Sequence, residues 1–562
     1  MDYKPLPIGV DNFEKLITRG YYFVDKTLLI RELLEKKGDI SLFTRPRRFG
    51  KTLNMSMLQY FLEDAREEDG TPKDNRYLFS GLKIMQAGER YLSCMGQYPV
   101  ISLSLKSARQ PDFDLSYRLL VRQIAGEFER HQFVMENLSE KSRARYKEIV
   151  WERADRESFC DSLKFLSECL ERYYEKKAVI LIDEYDVPLE NAFFQGFYGE
   201  MVDFVRSLFE SAFKTNASLE FAVITGCLRI SKESIFTGMN NLNILSILNK
   251  NYGEYFGFTE PEVRKICSDY GLEHKFETAQ EWYDGYIFGN AHVYNPWSVI
   301  LFMRDMLADD TSFPSAYWAN TSSNSIVRTL VERADTQTRE EIEAVIEGSS
   351  VEKPVHEDVT YDEIYASLDN LWNFMFFTGY FRKVSERMDA QDKLWAVFEI
   401  PNKEVKYIFR TKILAWFEEK VKARDRTGLF TALLEHDVQT LEEEISKLLL
   451  ETISFNDAYE SFYHGFLLGI FSGMDGYVVK SNREGGRGRS DLFIRPVTRR
   501  KEAVVMEFKV TKRYQELEQA AEAALRQIED RQYVRELNDD GYAKTACYGI
   551  AFCGKDCFVK LS

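Results

Sequence analysis

No stretch of the 562 residues approaches the roughly 20 uninterrupted apolar positions that a bilayer-spanning helix requires, so no membrane partner is expected. The opening MDYKPLPIGVDNFEK has neither a basic n-region nor an apolar h-region, and a cytoplasmic location is expected from it. Cysteine is sparse. Of the eight, Cys94, Cys160, Cys169, Cys227 and Cys267 stand far apart, and the cluster Cys547, Cys553 and Cys557 has spacings that fit no common zinc pattern. Buried free thiols are the expectation. Positive charge is short as well: 74 basic residues face 90 acidic ones, and the formal net charge of −16 counts against wholesale coating of nucleic acid. Internal repeats and low-complexity tracts are missing too.

What is present is the size and composition of a globular chain of roughly two to four domains, 44% hydrophobic and 29% charged. Between about residues 39 and 258, the short apolar runs ISLFTRP, PVISLSL, AVILIDEYD and EFAVITG alternate with amphipathic stretches, such as residues 163–177 and 201–214. That alternation predicts a parallel sheet with crossover helices. Residues 259–450 are dominated by helical periodicity, punctuated by YDGYIFG and VYNPWSVI, with residues 407–424 and the stretch LLEHDVQTLEEEISKLL as helices and 309–315 and 347–358 as loops. From about residue 454 a helix, the strands GYVVKSN, SDLFIRP and AVVMEFKV, a long helix over 515–538 and a last strand TACYGIAF give an αβββαβ order. The predicted domains are therefore residues 1–258, 259–450 and 451–562.

Basic residues concentrate in two places, residues 45–51 and 483–513, and each coincides with candidate chemistry. In the first, RRFGKT sits where a strand turns into the helix LNMSMLQYFLED. Pro46, Arg47, Arg48, Phe49, Gly50, Lys51 and Thr52 are candidate phosphate-binding residues. A small residue lets the backbone wrap an anion, a lysine neutralises it, and Thr52 can hold magnesium. The general phosphate loop is G-x-x-x-x-G-K followed by Ser or Thr, and here Arg45 replaces the first glycine. VILIDEYD supplies Asp183, placed to hold magnesium through water, and Glu184, placed to polarise the attacking water. Thr225 ends the next strand, where it could sense the γ-phosphate. Arg229 could contact phosphate or a neighbouring subunit, which leaves a homo-oligomer open.

The segments YYFVDKTLLIRELL, FTRPRRFGKTLNMSML, VILIDEYDVPL and ITGCLRISKESIFTGMNNL, in this order, resemble the AAA-ATPase-like family of bacterial P-loop proteins that carry a C-terminal PD-(D/E)XK nuclease-like domain. The resemblance covers nearly the whole chain, least distinctly between about 300 and 450. It implies an α/β P-loop ASCE/AAA-like ATPase core that uses ATP and Mg2+, with Glu184 activating water, and the RPRRFGKT loop is usual within it. Tyr22, Asp25 and Lys26 match the family's leader, whose expected role is adenine-side packing or structural support.

The second basic region brackets a carboxylate hairpin. Glu507 and Lys509 lie two apart on one strand, so they share a face and leave Phe508 on the other, while Asp491 opens the preceding strand. Acidic ligands converging beside a cation suit metal-dependent phosphodiester hydrolysis, and D…E-x-K in this order resembles PD-(D/E)XK nucleases. Glu460, on the preceding helix, is a further candidate metal ligand alongside Asp491 and Glu507. His464 shares its face, and Gln527 is a candidate polar addition. Arg483, Arg487, Arg489 and Lys512 would suit phosphate contacts. The leading expectation is an ATPase that gates a metal-dependent nuclease acting on DNA rather than RNA. The alternative is a nucleotide-controlled switch whose nuclease-like domain binds nucleic acid or protein without cutting. A small-molecule phosphotransferase fits less well, because VILIDEYD suits water activation better than acceptor binding.

Overall fold

The computed structural model describes residues 3–36, 38–67, 70–228, 235–236, 239–320, 336–356, 368–411, 427–452, 460–481, 484–485, 488–489 and 492–562. They fall into two compact units, residues 1–330 with 348–408 and residues 331–347 with 409–562.

In the first unit the apolar runs become β1 (Ile40–Thr44), β2 (Val100–Ser104), β3 (Ala178–Asp183) and β4 (Leu219–Gly226), and β5 (Leu242–Leu245) joins them in the order β2-β3-β4-β1-β5. All four pairings are parallel. Parallel strands covered on both faces need continuous apolar sequence, and β1 and β3 are buried at every position. The carboxyl ends of β1 and β4 lie level, Thr44 opposite Gly226, and Ser104 of β2 lies opposite Asp183 of β3. One strand, β4, separates the loop-bearing β1 from the acid-bearing β3. A crevice at these strand ends is where open α/β sheets place ligands.

The helical middle starts in this unit. Thr259 and Glu262 form a capping box on the helix Glu260–Asp269, and Asn295 caps the helix Pro296–Ala308 by accepting from the backbone of Trp297 at 3.0 Å and Ser298 at 3.4 Å. VYNPWSVI is thus a helix start, with proline at its first turn. These two helices share an apolar core with the helix Phe276–Tyr283, against which Tyr22 and Val24 of the leader pack. The region also carries strands that its sequence did not announce. A hairpin joins β6 (Tyr286–Phe288) to β7 (Ala291–Val293), and an antiparallel sheet runs β8-β10-β9, from β8 (Val351–Pro354), β9 (Arg382–Met388) and β10 (Leu394–Glu399). β8 falls within the 347–358 stretch expected to be a loop.

The second unit is a five-stranded sheet in the order β11-β14-β15-β16-β17, from β11 (Tyr477–Ser481), β14 (Leu492–Pro496), β15 (Ala503–Val510), β16 (Thr545–Cys553) and β17 (Asp556–Leu561). The short pair β12 (Glu484–Gly485) and β13 (Gly488–Arg489) stands apart from it. β15 and β16 are parallel, so a crossover must connect them, and the helix Leu517–Asp530 supplies it. The long helix expected over 515–538 is broken: Gln532 takes a positive φ of 56° before a second helix, Tyr533–Asp539. LLEHDVQTLEEEISKLL likewise divides, with His436 at φ 62° between Thr427–Leu434 and Val438–Thr452. Of the helix expected over 407–424, residues 412–424 lie outside the described residues. All eight cysteines are free, and burial pushes the Cys547 and Cys557 thiols up to about 11 and about 12. Among the described residues no helix is long and apolar enough to cross a membrane.

One buried acid in the first unit gives a pH test. Glu404 is fully enclosed and accepts from Ser298 Oγ at 2.9 Å and from the Trp318 backbone at 2.9 Å, and burial raises its carboxyl to about 7. A raised acid contributes stability that is complete below its unfolded pKa of about 4.3 and is lost as pH climbs through the folded value. Glu404→Gln, which mimics the protonated acid, should melt like wild type at pH 4 and be more stable at pH 8, by on the order of 1–3 kcal/mol, as read by paired thermal melts.

Candidate functional site

The loop after β1 closes on the helix Lys51–Leu62 through two left-handed residues, Arg48 at φ 70° and Gly50 at φ 82°. Left-handed steps of this kind aim successive backbone N–H groups into one concavity, which suits an anion at the helix start. Gly50 takes this conformation without the Cβ penalty, whereas Arg48 adopts it as a non-glycine residue. Lys51 is 5% exposed, and its Nζ donates to the carbonyls of Arg45 at 2.8 Å and Pro46 at 2.9 Å.

Asp183 is the junction of the site. Its two oxygens accept hydroxyl hydrogen bonds from Thr52 at 2.7 Å and Thr225 at 2.5 Å, joining the helix after β1 to the ends of β3 and β4. Burial pushes this carboxyl above its ordinary value, against the pull of the two hydroxyls. Glu184 follows at φ 55°, with its backbone N–H donating to Thr225 Oγ1 at 3.3 Å. Asp186, which sequence reasoning passed over as the last acid of DEYD, anchors the turn after β4: its Oδ2 accepts from the backbone N–H of Cys227 at 2.6 Å and Leu228 at 3.0 Å. Gly226 fits that turn because a Cβ there would lie 2.5 Å from the Tyr185 ring.

Arg45 explains its own departure from glycine. It is absent from the positive-φ residues, so its backbone needs no glycine. Its side chain, fully buried, donates to the carbonyls of Thr44 at 2.8 Å and Leu245 at 2.6 Å and stacks over Phe256 and Phe288 at 5.0 and 5.3 Å. Burial lowers its guanidinium to about 9. Of the basic cluster at 45–51, this residue is a structural cation that ties β1 to the end of β5.

A cavity of about 530 Å³ opens on the loop, a size suited to a small-molecule ligand. Arg47, Arg48, Phe49, Gly50, Lys51, Thr52 and Glu184 line it; Pro46, Asp183 and Thr225 do not, and Asp183 is reached through Thr52. Phe49 is held from behind, edge-on to Tyr286 and Phe288. Arg48 lies 4.3 Å over the Trp297 ring, another lining residue. From the leader, Tyr22 and Lys26 line the cavity while their polar ends are tied elsewhere: Tyr22 donates to Asp269 at 2.6 Å, and Lys26 to Glu262 at 2.5 Å and to the Glu254 carbonyl at 2.6 Å. Asp25 caps Thr27 and accepts from the Lys83 backbone at 2.8 Å. Arg229 lies outside the described residues.

In the second unit, β15 divides its side chains between two faces. Met506 and Phe508 enter the core formed with the helix Glu460–Phe471, and Ala503 and Val505 enter the one that includes Ile528 and Tyr533. Glu507 and Lys509 take the second face. Glu507 is 2% exposed, accepts from Gln527 Nε2 of the crossover helix, and lies 3.8 Å from Lys509 Nζ. Gln527, the candidate polar addition, is thus brought beside Glu507. His464, by contrast, lies 6.3 Å from the Phe508 ring, on the first face. Asp491, Arg483 and Arg487 lie outside the described residues; Glu460 opens its helix and Arg489 ends β13, their side chains undescribed, and Lys512 is exposed. Among the described residues no group of three metal-ligating side chains converges.

Residues 7–236 match the family model described as predicted AAA-ATPase, and residues 458–561 match that of the PD-(D/E)XK nuclease superfamily. The chain carries an AAA-ATPase-like domain and a PD-(D/E)XK nuclease-superfamily domain. The chain is also similar to the uncharacterized protein in the vnfD 5' region of Azotobacter chroococcum mcd 1, 26% identical over 95% of this chain and 93% of that protein. Among solved structures it is similar to the Walker-type ATPase PABY2304 of Pyrococcus abyssi, with a TM-score of 0.38 and 14% identity over 73% of this chain and 99% of that one.

Restoring the general loop glycine tests the role of Arg45. Arg45→Gly should lower the stability of the first unit by about 2–4 kcal/mol, seen as a lower melting temperature, because two carbonyls and two aromatic rings lose their partner. A variant as stable as wild type would contradict the structural role.

Proposed function

We propose that the AAA-ATPase-like domain binds and hydrolyses ATP with Mg2+, and that its nucleotide state governs a metal-dependent nuclease acting on DNA. The observation that carries the first half is the charge of the cavity: Lys26, Arg47, Arg48, Lys51, Lys106 and Arg109 line it against Asp11 and Glu184, in a chain whose net charge is −16. Such local reversal suits a polyanion the size of a nucleoside triphosphate.

The residues fit a phosphate chain and its cation. Gly50 and the start of the Lys51–Leu62 helix would take phosphate oxygens on backbone N–H groups, and Lys51 would exchange the Arg45 and Pro46 carbonyls for phosphate. Thr52 and Asp183 would hold the magnesium, Asp183 through water. The metal, when bound, supplies charge neutralisation on the phosphates. Glu184 would take the proton from the attacking water while Thr225, bonded to Asp183 and to the Glu184 backbone, keeps the two acids in register. The Lys26 and Tyr22 side of the cavity is left to the base. Lys51→Ala is expected to weaken ATP binding, whereas Glu184→Gln should still bind and lose ~100-fold or more in turnover. Equilibrium binding and phosphate release measured on both variants separate the two roles, and wild-type turnover in Glu184→Gln would remove Glu184 from the chemistry.

For the C-terminal domain, Glu507 and Lys509 on one face of β15, with Gln527 beside them, support a nuclease site in which Asp491 and Glu460 complete the acidic set. A second reading, docking of nucleic acid or protein without cutting, draws on the near-complete burial of Glu507. Plasmid nicking with magnesium or manganese decides between them. Cutting by wild type that is lost in Glu507→Gln and in Lys509→Ala is the expected result; intact plasmid under every metal, with DNA still bound, favours docking.

A further inference from the structure

Two arginines that line the cavity meet on one buried carboxylate. Glu190, on the helix Val187–Gln195, is 7% exposed; it accepts a hydrogen bond from Arg47 Nη2 and lies 3.5 Å from Arg109 Nη2. Arg109 follows the short turn Leu105–Ala108 at the end of β2. Because Ser104 stands opposite Asp183, this segment leaves the sheet beside the strand end that carries Asp183 and Glu184, on the side away from β1. Arg109 and Glu184 line the same cavity.

The two contacts differ in strength. Arg47 is enclosed, with a side chain 19% exposed and within hydrogen-bond distance of Glu190, while the Arg109 side chain is 42% exposed and its ion pair is long for a direct bond. A half-exposed pair at that separation contributes little. Arg109 can therefore leave Glu190 for a stronger anion at small cost, and Glu190 stays neutralised by Arg47 when it does.

We infer that Arg109 reads the terminal phosphate of the bound nucleotide and that Glu190 holds it ready beside the Glu184 end of the cavity. The inference rests on the nucleotide reading above. A phosphate at that end presents more charge than a carboxylate and offers oxygens that a guanidinium grips in pairs. A diphosphate stops short of it and leaves Arg109 on Glu190. The chain's own arginine, rather than one from a neighbouring copy, then makes binding depend on the third phosphate.

The test is equilibrium binding of ADP and of a non-hydrolysable ATP analogue, each with magnesium, to the full-length wild type, Arg109→Ala and Arg109→Lys. Arg109→Ala should lose about tenfold or more in affinity for the analogue and stay within about twofold for ADP, and Arg109→Lys should recover only part of the loss, since an ammonium cannot make the paired contact. Equal loss for both nucleotides, or loss for neither, in variants that melt with wild type overturns the inference and leaves the nucleotide reading standing. Wild-type protein that binds neither nucleotide overturns that reading and the inference with it.

Discussion

One carboxylate holds the strand ends of the first unit together. Asp183 sits at the end of a strand buried along its whole length and accepts two hydroxyl hydrogen bonds, one from the helix that follows the loop and one from the strand between. Burying an ionised acid is costly unless its oxygens are met. Thr52 and Thr225 meet them, and in doing so they fix the relative positions of three chain segments that share no local sequence. Three residues later Asp186 grips the backbone of Cys227 and Leu228 through a single oxygen, Oδ2. The strand ends thus form a fixed platform, and the groups above it are free to respond to a ligand.

Charge is distributed accordingly. The chain as a whole is acidic, yet cations from the leader, the loop and the segment after β2 gather at one cavity. They are not interchangeable. Arg45, which does not line the cavity, is consumed by the fold, while of the lining cations Arg48 lies on an indole face, Arg47 is clamped by Glu190, and Lys51 rests on two loop carbonyls. Each has a partner that keeps it from being an isolated buried charge, and the partners differ in how readily they are given up.

How much of this could be read from the sequence followed burial. β1 to β4 announce themselves because a doubly covered strand must be apolar throughout, and Lys51, Thr52, Asp183 and Glu184 because they stand at the ends of such strands. β5, four residues of which three are only partly buried, carries no comparable run. Two strands of the β8-β10-β9 sheet, β8 and β9, are hidden by charge, since VEKP and RKVSERM have no apolar alternation and β9 is largely exposed. β17 escaped notice because its short DCFVKL run follows directly on β16. Breaks within helices were also silent, since both fall at ordinary residues, His436 and Gln532, that adopt positive φ. Arg45 read as one more phosphate cation because only the fold brings Leu245, Phe256 and Phe288 to it. Asp186 had a signal in the second aspartate of DEYD; Arg109 and Glu190 had none, being partners only in three dimensions.

The most direct test of the central claim is a crystal structure of the full chain with magnesium and a non-hydrolysable ATP analogue. The expected result is a phosphate chain on the loop between Gly50 and Glu184, with Lys51 Nζ moved from the Arg45 and Pro46 carbonyls onto phosphate oxygen and Thr52 turned from Asp183 to the metal. Lys51 still on the two carbonyls, with the nucleotide bound elsewhere or not at all, would contradict it.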